Sequence, residues 1–116
     1  MKKDTKLTIT EFEKICNELN PTTYIFDTSN QSTQDYLRTL RMSFTFDNIL
    51  VTKNPNRICL TLGDKNFFGK YENYFRFERV KYILYRGISA GCRFFTIVCG
   101  NNTDDLIDVE YNLSII

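Results

Sequence analysis

The residues with the most chemical capacity form a run in which cations alternate with aromatics: Tyr71, Tyr74, Arg76, Arg79, Lys81, Arg86 and Arg93, with Tyr85 among them. Arginine and tyrosine side by side can do two kinds of work. At a protein surface they anchor interfaces, because a planar guanidinium and a rigid phenol bury large areas and still offer hydrogen bonds. In a groove they hold single-stranded nucleic acid, with phosphates on the cations and bases on the rings. An ordinary solvated strand face has the same composition, since about half of a strand's residues point outward.

A second constellation is acidic. Asp104, Asp105, Asp108 and Glu110 fall close together, and Asp108 and Glu110 share one side of a strand, as a metal or acid/base pair requires. Glu78 and Lys81 complete that set, although a wetted strand face accounts for the same carboxylates without further assumption. Residues 57 to 93 carry eight cations against three carboxylates, a net of +5, whereas residues 94 to 116 carry −4. If the two stretches are neighbouring strands, their charges neutralise one another, at about 0.2–1 kcal/mol for each cross-strand pair. Exposed, the first is a basic binding face, and the second is an acidic face able to occlude a basic or nucleic-acid-binding surface.

Much chemistry is excluded. The chain has no histidine, which removes the commonest general base, triad member and metal ligand. Its four cysteines, Cys16, Cys59, Cys92 and Cys99, are widely spaced and lack metal-ligand or redox spacing, so they are expected to be reduced, mostly buried thiols. Should any pair be oxidised, Cys92 and Cys99 are the first to consider. No metal is expected, because histidine is absent and the thiols lack ligand spacing, and no nucleotide cofactor, because neither a phosphate-cradling G-x-x-x-x-G-K-[ST] loop nor a G-x-G-x-x-G turn occurs.

The elements that must position these residues follow from length and pattern. A chain of 116 residues with 42% hydrophobic and 25% charged residues suits one globular domain with its own core. No apolar run approaches the roughly 20 residues of a membrane helix, and the start MKKDTKLTITEF is not a signal peptide. A soluble, cytoplasmic protein without membrane contact is expected. Abundant Ile, Asn, Lys, Phe and Tyr, all with AT-rich codons, point to an AT-rich source such as a bacterium, phage or mobile element.

Thr8 and Glu11 have capping-box spacing, with Leu7 placed to staple onto Phe12, and Phe12, Ile15, Cys16 and Leu19 then recur at helical intervals up to Asn20-Pro21. Thr22 to Phe26 is a short extended run, and Thr28 to Gln34 is a polar loop. Tyr36, Leu40, Met42, Phe44 and Phe46 share a strand's parity. Asn54-Pro55-Asn56 turns the run Ile49 to Thr52 into Ile58 to Leu62. Gly63 to Asn73 is a loop unusually rich in aromatics, Phe67, Phe68 and Tyr71, which either fold back on the core or present a sticky surface. The centre of the fold is the stretch Tyr74 to Cys99, two β-rich runs around a glycine-bounded turn. Phe75 and Phe77 have one parity and Val80, Tyr82 and Leu84 the other, which predicts a β-bulge near Glu78-Arg79. The run Arg93 to Val98 is apolar on both parities and reads as an interior strand. After a turn at Asn101 to Asp104, Ile107, Val109, Tyr111, Leu113 and Ile115 line a last strand whose opposite side should be wet.

The expected fold is α+β and mostly β, an N-terminal helix packed on a twisted antiparallel sheet of five to seven strands curled towards a barrel. The expected core is Phe12, Ile15, Leu19, Phe44, Phe46, Ile58, Leu60, Phe77, Val80, Tyr82, Ile97 and Val109. In function the sequence favours a small non-enzymatic module that binds another protein, of the kind a phage or mobile element uses to inhibit a host defence enzyme such as a CRISPR effector. The alternative is a single-stranded nucleic-acid binder using the basic-aromatic face.

Overall fold

The capping box forms as the sequence requires. In the computed structural model, which describes residues 1–27, 43–100 and 108–116, the Glu11 N–H donates to Thr8 Oγ1 (3.1 Å) and the Thr8 N–H donates to Glu11 Oε1 (3.2 Å). Helix α1 (Ile9–Leu19) starts there and ends at Asn20, which takes a left-handed φ of 47° and donates its N–H to the Cys16 carbonyl. Leu7 and Phe12 are both buried, and the Phe12 ring stands edge-on to Phe95 at 5.1 Å.

Nine strands in two antiparallel sheets accompany the helix among the described residues: β1 (Thr5–Leu7), β2 (Tyr24–Asp27), β3 (Ser43–Phe46), β4 (Asn48–Lys53), β5 (Asn56–Leu62), β6 (Asn73–Phe77), β7 (Val80–Ser89), β8 (Cys92–Cys99) and β9 (Val109–Ile115). The larger sheet runs β1-β7-β8-β9-β2-β3 and the smaller β4-β5-β6. The fold is therefore α+β and mostly β, with one helix packed against antiparallel sheet, and it is not a closed barrel. The helix packs on β1, β4 and β7, bridging the two sheets.

The chain passes between sheets at two corners. Asp47, alone between β3 and β4, donates its N–H to the Thr61 carbonyl (3.0 Å) and accepts from the Gly63 N–H (3.2 Å). The second corner is Glu78-Arg79, with Arg79 at φ 54° and its carbonyl accepting from the Gly100 N–H (2.9 Å). The parity switch expected here as a bulge is thus a strand break, since Phe77 belongs to one sheet and Val80 to the other. The bulges lie further on, where the β7–β8 register shifts between Val80 and Tyr82 and again between Tyr85 and Gly87. The β7–β8 hairpin turns on Ala90 and Gly91, with φ 52° and 80°, the pair of positive values that matches the twist of a two-residue hairpin loop.

These shifts correct the expected core. Phe12, Phe46, Ile58, Leu60, Phe77, Val80 and Ile97 are buried as expected, while Ile15, Leu19 and Val109 are half-buried. Tyr82 is half-buried because the first bulge turns it to the outer face beside Val98, under the Lys6 ammonium 4.2 Å from its ring, and Ile83 takes the inward place. Phe44 is 39% exposed because β3 is the outermost strand of its sheet, although its ring still stacks on Phe26 at 6.2 Å. Interior strand β8 buries both parities, Phe95, Ile97 and Cys99 inward and Thr96 and Val98 outward, the latter shielded by long neighbours on β7 and β9. The outer side of β9 is accordingly half-buried rather than wet, and Thr96 Oγ1 donates to Asn112 Oδ1 (3.3 Å).

The sheets meet through an aromatic cluster. Phe26 of β2 lies 4.5 Å from Phe75 and 5.2 Å from Phe77, and Tyr111 of β9 closes the group at 5.3 Å from Phe77. The sequence expectations for Thr28 to Met42, for the Asn101 to Asp104 turn and for Ile107 lie outside the described residues.

Candidate functional site

Period-two geometry puts Tyr74 and Arg76 of β6 on the same, outer face of the smaller sheet, in register with Thr61 and Cys59 of β5. The Arg76 guanidinium lies 5.1 Å from the Tyr74 ring centroid, and its Nη2 donates to the Tyr74 hydroxyl at 3.5 Å. Lys70 and Tyr71, from the loop between β5 and β6, join Cys59, Tyr74 and Arg76 around an open depression of about 380 Å³. Two cations and no carboxylate line it, so its field favours an anionic group.

The loop is built by Asn66. Its side-chain Oδ1 accepts from the Phe68 and Lys70 N–H groups, both at 3.0 Å, while its backbone N–H donates to the Lys70 carbonyl (2.7 Å) and its carbonyl accepts from Gly69 (2.9 Å). This turn sends the two alternatives of the sequence in opposite directions. Tyr71 returns half-buried to the depression with the Lys65 ammonium 5.7 Å from its ring, whereas Phe67 and Phe68 stand 97% and 80% exposed.

The remaining cations lie elsewhere. Arg79 occupies the corner into β7 and, with Arg76, Glu78, Cys99 and Tyr111, lines a separate depression of about 270 Å³. Lys81 pairs with Asp108 at 2.9 Å, which holds the ammonium above its ordinary range, first by the hydrogen bond and then by charge. Arg86 pairs with Asp4 at 2.9 Å, and Arg57, just upstream, pairs with Glu78 at 2.8 Å. Half-buried Arg93 sits near the end of α1 beside Glu18 and Leu19. Of the basic-aromatic run, then, Tyr71, Tyr74 and Arg76 gather on one surface while Arg79, Lys81, Arg86 and Arg93 are distributed around the fold. In the acidic set Asp108 faces Lys81, Glu110 is half-buried opposite Val98, and Asp104 and Asp105 lie outside the described residues.

Three of the four thiols are held towards the protonated form. Burial pushes the Cys16 and Cys99 thiols up to about 12, reinforced by Glu13 for the first and by Asp108 and Glu78 for the second. Cys59, in the depression, is also raised by burial although Arg76 and Arg57 pull it the other way. Cys92 and Cys99 occupy opposite ends of β8, roughly 20 Å apart in an extended strand, which rules out the intrachain bridge between them that the sequence left open. No cluster of three or more metal-ligating side chains is found among the described residues, and none of their helices is long and apolar enough to cross a membrane.

Sequence reading missed Lys70 and Cys59 as members of the face and left the direction of Phe67 and Phe68 open. The Asn66 and Gly69 pair around the two phenylalanines is a turn signal from which an outward tip could have been inferred. Comparison with family models, with curated proteins and with solved structures returns no match for the chain.

Proposed function

We propose that this chain is a small non-enzymatic protein-interaction module that docks through Lys70, Tyr71, Tyr74 and Arg76. The observation that carries the reading is the Arg76–Tyr74 pair: a guanidinium laid on a phenol ring on the outer face of a strand, in a depression with a second cation and no carboxylate. Such a pair is already ordered before binding, so little side-chain entropy is lost when it enters an interface. An acidic surface on the partner is its complement. The AT-rich residue usage fits a bacterium, phage or mobile element alike, and in the phage or mobile-element setting that we propose the partner is a host defence enzyme.

Single-stranded nucleic-acid binding is the second reading, favoured by the same cations and by a Tyr74 that is 49% exposed. The geometry weighs against it, because the guanidinium over the Tyr74 ring occupies the face on which a base would stack.

The test is affinity capture from a lysate of the source organism with the wild type and with Arg76→Ala and Tyr74→Ala, followed by binding measurements on the identified partner. The expected result is one partner retained at moderate salt by the wild type and lost by both variants, with unchanged melting temperatures. Equal capture by all three overturns the site. Binding of labelled RNA or DNA that weakens steeply with salt, without protein capture, overturns the reading in favour of the second.

A further inference from the structure

We infer that the molecule pairs with a second copy of itself, the Phe67–Phe68 tip of each copy entering a groove at the base of the same loop in the other. The tip is a preorganised apolar knob. Its rings brace each other edge to face at 5.6 Å and 86°, and the Asn66 hydrogen bonds hold the backbone beneath them. Leaving two adjacent phenylalanines 97% and 80% exposed on an ordered turn is the mark of a contact surface rather than of scattered surface apolar residues.

The receiving groove has a volume of about 450 Å³ and lies between the outermost strands of the two sheets among the described residues, β3 on one side and the start of β6 on the other. Phe44 and Leu62, 39% and 41% exposed, supply its apolar wall together with Phe46 and Tyr74, and Glu72 stands at its rim. Leu62 and Glu72 bracket the loop that carries the knob, so knob and groove adjoin on one surface. A two-fold axis beside that surface lets both knobs enter both grooves at once, which closes the pair without leaving a free contact to propagate. Lys65 and Lys70 flank the knob and Glu72 the groove, so the same arrangement brings opposite charges together across the axis. The loop's four charges, Asp64, Lys65, Lys70 and Glu72, sum to zero, so the knob is not a polybasic tip of the kind that an anionic bilayer attracts.

This inference goes beyond the docking reading; the two surfaces share Tyr74 and Lys70, and Arg76, which lines the docking depression but not the groove, tells them apart. Sedimentation velocity on the purified chain from micromolar to millimolar concentration should show the mass rising from one chain to two. The Phe67→Ser/Phe68→Ser double variant should weaken the association constant by on the order of a hundredfold, as loss of paired hot-spot aromatics does, with unchanged circular dichroism. Leu62→Glu should produce the same loss from the groove side, and Arg76→Ala should leave association intact. Glu72→Lys should weaken pairing, and adding Lys65→Glu to it should restore it. A wild type that stays monomeric throughout, or a double variant that pairs like the wild type, overturns the inference. Sedimentation of the wild type with vesicles of anionic lipid while it remains monomeric in their absence overturns it in favour of a bilayer as the knob's partner.

Discussion

Replacing Phe77 by alanine removes the ring at the seam between the two sheets. The side chain is 1% exposed, and its centroid lies 5.2 Å from Phe26, 5.0 Å from Phe75 and 5.3 Å from Tyr111. Truncating a buried phenylalanine costs about 3–5 kcal/mol, and aromatic pairs contribute about 0.5–1.5 kcal/mol beyond the area that they bury. With three ring partners lost, the expected destabilisation lies at the upper end, about 5 kcal/mol. Single domains are stable by only about 5–15 kcal/mol, so the variant should be close to unfolding at ambient temperature. Urea titration followed by circular dichroism measures the effect as a fall in the midpoint with the slope unchanged. Phe68→Ala, titrated at a concentration that keeps the chain monomeric, is the internal reference: its side chain is 80% exposed, and the change should stay within about 0.5 kcal/mol. A Phe77→Ala loss below about 1.5 kcal/mol, or equal losses at the two positions, would refute the reasoning that β6 packs its inner face on β2 and β9.

Stability should decline on the alkaline side. The Cys16 thiol has its folded pKa raised from 9.0 to about 12, so the unfolded chain ionises first; its contribution is complete below the unfolded value and falls as pH rises towards 12. The slope is at most about 1.4 kcal/mol per pH unit for this thiol, and Cys16→Val should flatten it in denaturant midpoints taken across that range. Cys99 and Lys81, both raised, act with the same sign. Gly91→Ala should destabilise by about 1–2 kcal/mol through backbone strain alone. At φ +80° an added Cβ there meets no atom within 4 Å, so a neutral result in the same titration would contradict the turn geometry. Lys81→Met should lower the midpoint in dilute buffer and leave it unchanged in molar salt, where the half-exposed pair with Asp108 is screened; an effect that persists in salt would mean that Lys81 acts through packing.

What the sequence determined by itself was local. The capping box of Thr8 and Glu11, the turn at Asn54-Pro55 and the inward parity of Ile58 and Leu60 depend on residues a few positions apart, whose sterics and hydrogen bonds are settled before any distant segment arrives. Even the parity switch at Glu78-Arg79 was legible, because an alternating pattern cannot change phase without an irregularity. Its nature was not legible, since a bulge within one strand and a passage between two sheets change the phase alike, and only the packing of Phe77 on Phe26 and Tyr111 tells them apart. The three-residue β1 is too short to carry a pattern and exists through its pairing with β7. The candidate face divided in the same way. Alternation along β6 placed Tyr74 and Arg76 together, but whether a cation is spare or spent depends on which carboxylate the fold brings to it. Lys81 meets Asp108 and Arg86 meets Asp4, partners 27 and 82 residues away, whereas Arg76 meets the ring of Tyr74 two residues back on its own strand. The exposure of Phe67 and Phe68 was likewise decided by the turn built on Asn66, which carries Tyr71 back to the sheet and leaves the two rings in solvent.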